Sequence, residues 1–131
     1  MASQYKVVLG TTVLCDDAAT PKVTGITEQL NGSASVQVED IYASGNKLLR
    51  PQGNVAGQFV FTAGCSFASM AASATAWKTA YGLLNTQDTV VLTYGGTTLT
   101  MANAVLKDVQ RVLWDGLRLS IRYTFLITTI T

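Results

Sequence analysis

Residues 117–127 read LRLSIRYTFLI and form the most regular alternation in the chain. Every second position is apolar: Leu117, Leu119, Ile121, Tyr123, Phe125 and Ile127. The positions between them include Arg118, Ser120, Arg122 and Thr124. Because successive side chains of a strand point to opposite faces, this pattern predicts a long terminal strand with one buried face. Such a strand needs neighbours, so the rest of the chain should be rich in strands.

Shorter runs upstream predict those neighbours. Together with the terminal strand they make about eight strands, since the first two runs are either one strand or a pair. The runs are Gln4 to Leu9, Thr12 to Cys15, Val23 to Leu30, Ala34 to Ile41, Gln58 to Ala63, Thr89 to Tyr94, Thr97 to Met101 and Ala104 to Trp114. Turn residues separate them at Asp16 to Pro21, Asn31-Gly32, Gly95-Gly96 and Asp115-Gly116.

One segment, Ser66 to Leu84, has the period of an α-helix instead. Its apolar residues are spaced three or four apart and share one stripe: Phe67, Met70, Ala74, Trp77, Tyr81 and Leu84. Ser66 is a suitable N-cap, and Gly82 with Asn85 marks the end. The aromatic residues of the stripe are interpreted as core packing, with a ligand pocket as the alternative.

These elements predict a single domain, residues 1–131, of the α+β class and mainly β. We expect a β-sandwich or flattened barrel of about eight strands packed against one amphipathic helix. The length of 131 residues suits one hydrophobic core.

The segment from Ala43 to Gln58 is predicted to be a long exposed loop. It contains Gly, Asn, Ser and Pro residues, and few apolar side chains offset the entropy of ordering it. Loops of this length in compact domains are usually functional or become ordered against a partner. It is therefore the first candidate contact element.

Several residues are candidates for an interface with another subunit. They are Leu48, Leu49, Arg50, Asn54 and Val55 in the predicted loop, Trp114 beside a turn, and Thr128 and Ile130 near the end. Large apolar groups at such places either pack locally or insert into a neighbour, and both interpretations stay open. The uncharged end of the terminal strand is poorly defended against pairing with another chain, so we expect edge pairing there.

Composition excludes some partners. Nine Lys and Arg residues against eight Asp and Glu residues give a net charge of +1 without a basic cluster, which disfavours nucleic acid as the main partner. Charged residues make up only 13% of the chain, so part of the surface is expected to be covered by something other than water. The polar start and the lack of a long apolar run predict cytosolic synthesis and no membrane partner.

Chemistry-bearing motifs are missing from the sequence. The chain has no histidine, which excludes Ser-His and Cys-His nucleophilic pairs. Cys15 and Cys65 have no zinc spacing, and the carboxylate pairs Asp16-Asp17 and Glu39-Asp40 lack a calcium-loop pattern. We therefore expect no enzyme activity, no metal and no cofactor.

The element order resembles the small structural proteins of tailed-phage tails, in the tail-tube and baseplate-hub group. The resemblance is carried by Phe59-Val60-Phe61 leading into the helix, the glycine-turn hairpins, and Gly116 followed by Arg122-Tyr123-Thr124-Phe125. It implies a virion protein that forms rings, typically hexamers, whose long loop contacts the next ring and whose lumen passes DNA without recognising its sequence. It also implies other tail proteins as partners. Lumens of such tubes are often acidic, and with only eight acidic residues a terminal, adaptor or baseplate position is as plausible as the tube.

Two functions from different classes remain. One is the ring-forming structural virion protein, which predicts a defined oligomer. The other is a small-ligand-binding β-barrel or another non-enzymatic interaction domain, for which we expect a monomer with a closed apolar cavity.

Overall fold

A computed structural model describes residues 4–18, 22–40 and 47–131 of the chain. Within these residues, seven strands form one antiparallel sheet, and one helix packs against it. This confirms the predicted α+β, mainly β class, with seven strands rather than about eight. The elements are β1 (Tyr5–Leu9), β2 (Thr12–Asp16), β3 (Lys22–Asp40), β4 (Lys47–Ser66), α1 (Met70–Gly82), β5 (Gln87–Tyr94), β6 (Thr97–Trp114) and β7 (Arg118–Ile127).

The strand order in the sheet is β2-β1-β5-β6-β7-β4-β3. The alternation that predicted β7 is confirmed, since every second residue from Leu119 to Ile127 is buried while Arg118 and Arg122 are exposed. Leu117 is the exception and is half-exposed, because it lies in the turn before the strand.

The prediction that the terminal strand is an open edge was wrong. β7 lies between β6 and β4, and both of its edges are hydrogen-bonded. Beyond β7, the last residue of the chain pairs with β6 again, since Thr131 and Thr100 exchange two backbone hydrogen bonds of 2.8 Å. Side-chain alternation predicts a strand but says little about its place in the sheet.

The sheet curls so that strands near its two edges, β1 and β5 on one side and β3 on the other, approach each other. The phenol groups of Tyr5 on β1 and Tyr94 on β5 both donate hydrogen bonds to the carboxylate of Glu28 on β3. Burial, followed by the hydrogen bond to Glu28, raises the pKa of both phenols above its ordinary value. Between these edges lies the core, where Phe59, Phe61 and Phe125 are fully buried and stacked.

Two predicted interruptions proved to be bulges within longer strands. At Asn31-Gly32, where a hairpin turn was expected, β3 continues and its register with β4 shifts between Asn31 and Ser33. The bulge brings the carbonyl of Asn31 so close to Gly57 that a Cβ there would lie 2.2 Å from its oxygen, which explains the glycine. Similarly, the runs Thr97 to Met101 and Ala104 to Trp114 join as β6, with Asn103 in the left-handed region at φ 55°.

The helix is shorter than predicted and is rotated about its axis. It starts at Met70 because Ser69, not Ser66, caps it by accepting a hydrogen bond of 3.1 Å from the amide of Ala72. Met70 and Tyr81, on the predicted core stripe, are largely exposed, whereas Ser73 and Ala80 are buried. With 13 residues α1 is too short to cross a membrane, and no other helix of the described residues could do so.

Candidate assembly surfaces

The first candidate surface is a two-stranded arm that extends beyond the sheet. β4 pairs with β7 only over residues 57–66, while its earlier residues 47–56 pair with β3 alone. We call residues 33–40 and 47–56 the arm, whose register runs from Asp40 opposite Lys47 to Ser33 opposite Val55. At about 3.3 Å per residue, the ten residues of β4 in the arm span roughly 30 Å.

The arm corrects the prediction that Ala43 to Gln58 is a loop. Residues 47–58 are strand, and residues 43–46 lie outside the described part of the chain. Glycine, proline and asparagine residues favour loops locally, but register shifts between the paired strands accommodate them here. Leu48, Leu49, Arg50, Asn54 and Val55 therefore occupy positions on a strand.

An isolated two-stranded ribbon is marginally stable in water. Among the described residues, no third strand pairs with either outer edge of the arm. Unpaired strand edges are templates for pairing with another chain. The arm therefore has the backbone chemistry of a contact element.

The second candidate surface is an apolar patch at the opposite end of the sheet. Five large apolar residues are 41–57% exposed around the turn between β6 and β7 and the start of α1: Met70, Val112, Leu113, Trp114 and Leu117. We call this set the end patch. The register fixes its location, since Ser66 and Trp114 flank the first residues of β7, whereas the arm begins at Gly57, opposite Ile127.

A chain of hydrogen bonds holds the end patch together. Nε1 of Trp114 donates to Oγ of Ser73 over 3.2 Å, and that hydroxyl lies 2.6 Å from the carbonyl oxygen of Gly116, to which it donates. Gly116 has a φ of +99°, and a Cβ there would lie 3.3 Å from the side chain of Met70. The helix start and the β6–β7 turn are therefore fixed to each other by Ser73.

Charges at this end are largely paired internally. Arg118 forms a salt bridge of 2.7 Å with Asp115. The backbone hydrogen bond from Arg118, followed by its side-chain hydrogen bond, lowers the pKa of Asp115. The guanidinium of Arg111 lies 5.7 Å from the ring centre of Trp77 and 5.3 Å from that of Trp114. An aromatic surface with one cation thus faces outward.

The backbone of β6 next to the end patch is also open on one side. β5 pairs with β6 as far as Val105, and residues 85 and 86 bond to Leu106. Beyond that point, residues 107–114 pair with β7 on one edge, and within residues 4–18, 22–40 and 47–131 the other edge has no strand partner. This edge could accept an added strand.

The residues predicted to form an interface fall at both ends of the sheet. Trp114 belongs to the end patch, the five residues of β4 lie in the arm, and Thr128 and Ile130 are exposed beyond β7, near the base of the arm. Sequence reasoning missed Met70, Val112, Leu113 and Leu117. The available signal was the run Val112-Leu113-Trp114, which breaks the strand alternation with three consecutive apolar residues.

A third feature is a half-open apolar cleft of about 410 Å³ between α1 and β2. Small residues of α1, Ala76, Thr79 and Ala80, form one wall, and Cys15 and Cys65 both line the cleft. Burial raises the pKa of Cys15 to about 12 and also raises the pKa of Cys65. In the described part of the chain, no three His, Cys, Asp or Glu side chains converge as a metal site requires.

Comparison with known proteins identifies the fold. No family model matches the chain, and no curated protein matches it. Among solved structures, the chain is similar to one in the sheath/tube terminator of PVC, an extracellular contractile injection system, with a TM-score of 0.59 and 12% identity over 98% of this chain and 91% of that one.

Two further structures have the same fold. A chain of the tube-terminating cap of the anti-feeding prophage AFP matches with a TM-score of 0.53 and 14% identity, over 100% of this chain and 88% of that chain. A chain in the tail of an empty gene transfer agent particle, refined with C6 symmetry, matches with a TM-score of 0.55 and 7% identity, over 98% and 93%. The chain thus has a fold found in phage-tail-like particles.

Proposed function

We propose that this protein is a structural subunit of a phage-tail-like particle and acts by assembling with copies of itself into a ring. The observation that carries the proposal is the arm, a ribbon of roughly 30 Å that has no third strand among the described residues. A marginal ribbon becomes stable when a neighbouring subunit covers it.

The fold comparisons support the tail role. The matches cover 98–100% of this chain and 88–93% of the others, so the whole domain, not a fragment of it, has the tail-particle fold. Two of the similar chains come from structures of a tube terminator or cap, which favours a terminal position over a baseplate one. The C6 symmetry of the gene transfer agent tail makes a hexamer the expected ring.

The expected partners are other copies of the chain and other tail proteins. The arm residues Leu48, Leu49, Arg50, Asn54 and Val55 are proposed as subunit contacts, as are Trp114, Thr128 and Ile130. The net charge of +1 gives no basis for sequence-specific DNA binding, although DNA would pass through the lumen of such a ring. The expected location is the assembled particle.

Solution mass tests the proposal directly. Light scattering over a concentration series should give a mass near six times 13.9 kDa, and negative-stain electron microscopy of the same samples should show sixfold rings. A protein that stays monomeric at every concentration would overturn it.

The cleft supports a second candidate function, the binding of a small apolar ligand. Its volume of about 410 Å³ falls within the range of about 300–1,000 Å³ that is usual for ligand pockets. The cleft is open, however, whereas a ligand-binding barrel was expected to have a closed cavity. Saturable binding of a fluorescent apolar probe, lost on substituting Ala80→Trp but unaffected by Ala71→Trp on the exposed face of α1, would favour this function.

A further inference from the structure

We infer that residues 107–114 of β6, called the β6 edge below, accept an extended acidic segment of another protein of the particle as an added strand. This inference rests on the proposed function only for the source of the segment, because that function makes other tail proteins the partners. The arm is a separate surface and takes no part in this contact.

The backbone of the β6 edge provides the first argument. β5 leaves β6 at Val105, and residues 85 and 86 bond no further than Leu106, so among the described residues only β7 pairs with the β6 edge. At about 3.3 Å per residue this edge spans roughly 26 Å, which is enough for a strand of ordinary length. Unpaired N–H and C=O groups along such an edge bind an extended peptide by continuing the sheet.

The side chains of the β6 edge provide the second argument. Arg111 and Leu113 pair with successive residues of β7, so their side chains point to opposite faces of the sheet. The face of Arg111 is cationic and aromatic, because its guanidinium lies over the rings of Trp77 and Trp114. The face of Leu113 is apolar and exposed. An added strand therefore meets a cation with one set of alternate residues and apolar surface with the other.

Charge selects the chemistry of the partner. Lys107 and Arg111 are exposed, and no carboxylate of the described residues forms a salt bridge with either. The acidic side chains along this stretch are already engaged, since Asp108 accepts a hydrogen bond of 3.1 Å from Gln110 and Asp115 forms the salt bridge given above. Carboxylates on the added strand would complement the two cations, whereas a basic segment would be repelled.

The same charges disfavour a second copy of this chain as the occupant. Two copies that paired the β6 edge with itself around a twofold axis at its middle would place their Arg111 side chains opposite or diagonal to each other. Like charges placed in this way are destabilising. The β6 edge is therefore suited to a different chain, in which apolar residues alternate with polar and acidic ones.

Fluorescence anisotropy of a labelled synthetic peptide tests the contact. The peptide has eight residues, in which valine alternates with threonine or glutamate, and its counterpart has lysine in place of glutamate. We expect saturable binding of the acidic peptide and binding of the basic peptide that is at least about tenfold weaker. Equal binding of the two peptides, or no binding of the acidic one, would overturn the inference.

A matched pair of variants locates the bound peptide. Arg111→Gln should weaken binding of the acidic peptide about tenfold, which is the effect of losing one charge pair. Arg122→Gln removes an exposed arginine from the opposite face of the sheet, where it pairs with Gln110, and should leave the affinity unchanged. An equal loss of affinity in the two variants would show that only the net charge matters and would contradict the inference.

Methylation of the peptide backbone separates strand addition from a purely electrostatic contact. One version of the acidic peptide carries N-methyl groups on its odd-numbered residues and the other on its even-numbered residues. Because a strand directs alternate amides toward its neighbour, one version should lose binding and the other should retain it. Retention in both versions, or loss in both, would rule out an added strand.

The oligomeric state is measured on the same samples. A ring that binds no acidic peptide contradicts this inference alone, whereas a monomer that binds the peptide contradicts the proposed function alone. Aromatic rings beside a cation also suit single-stranded nucleic acid. If a labelled single-stranded oligonucleotide binds through Arg111 more tightly than the acidic peptide does, the inference is wrong.

Discussion

The centre of the sheet and its two ends along the strand direction differ in how completely one chain pairs their strand edges and buries their apolar side chains. In the centre, β7 is hydrogen-bonded on both edges, and Phe59, Phe61 and Phe125 are fully buried. At the ends, the arm has no third strand in the described residues, and the end patch leaves five large apolar residues exposed. The difference indicates that the centre accounts for folding, whereas the ends are available for assembly.

The largest expected effect is in the centre. Phe61 is fully buried and stacks on Tyr123 with ring centres 4.9 Å apart. Phe61→Ala should lower the free energy of unfolding by about 3–5 kcal/mol, because it removes a large buried ring and leaves a cavity. Urea denaturation measures this change. A loss of unfolding free energy under about 1 kcal/mol would contradict the assignment of folding stability to the centre.

The junction between the centre and the arm should show the next largest effect on stability. At Gly57 a Cβ would lie 2.2 Å from the carbonyl oxygen of Asn31, so Gly57→Ala should cost about 1–3 kcal/mol of stability through overpacking. Gly25→Ala is the matched control on β3, since nothing lies within 4 Å of a Cβ there. Equal unfolding free energies for the two variants would show that the bulge does not constrain the start of the arm.

Ser73 tests how the end patch is held. Ser73→Ala removes the hydrogen bonds to Gly116 and Trp114 and should cost about 1–2 kcal/mol, with a change in Trp114 fluorescence. Thr75→Ala is the control, since its hydroxyl bonds only to the exposed carbonyl of Ala71. Unchanged fluorescence in the Ser73 variant would mean that the patch is not organised by this residue.

Alkaline pH gives a smaller effect in the buried core, of which Cys15 on β2 is a member. Burial raises the pKa of Cys15 from 9.0 to about 12, so the unfolded state loses its proton first as the pH rises. The stability contributed by this thiol is present below pH 9 and falls by about 1 kcal/mol per pH unit above it. Unfolding free energies measured at about pH 8 and pH 10 should therefore differ less in a Cys15→Ala variant than in the unsubstituted protein.

Local patterns predicted β7, the Gly95-Gly96 turn and the fold class, because alternation and turn chemistry lie in a few adjacent residues. They failed where distant partners decide. The rotation of α1 depends on Ser73, a polar residue buried because it bonds to Gly116, 43 positions away. The arm was missed because Pro51, Gly53 and Asn54 favour loops locally, while the pairing with β3 makes them strand.

The candidate site was predictable in part for the same reason. Trp114 and the arm residues were named from their chemistry, but their separation to opposite ends of the sheet follows from the strand register, which no local pattern contains. Met70 was assigned to the core because its helical spacing matched the apolar stripe, whereas the helix turns it outward.

The most direct test of the account compares the unsubstituted protein with a variant that lacks the arm, in which an Asn-Gly turn joins Ser33 to Val55, its register partner. Sedimentation velocity and urea denaturation would be measured on both. The account predicts an oligomer for the unsubstituted protein and a monomer for the variant, with unfolding free energies that agree to about 1 kcal/mol when both are measured on dilute monomers. A variant that assembles as well as the unsubstituted protein, or one that fails to fold, would contradict the separation of folding from assembly.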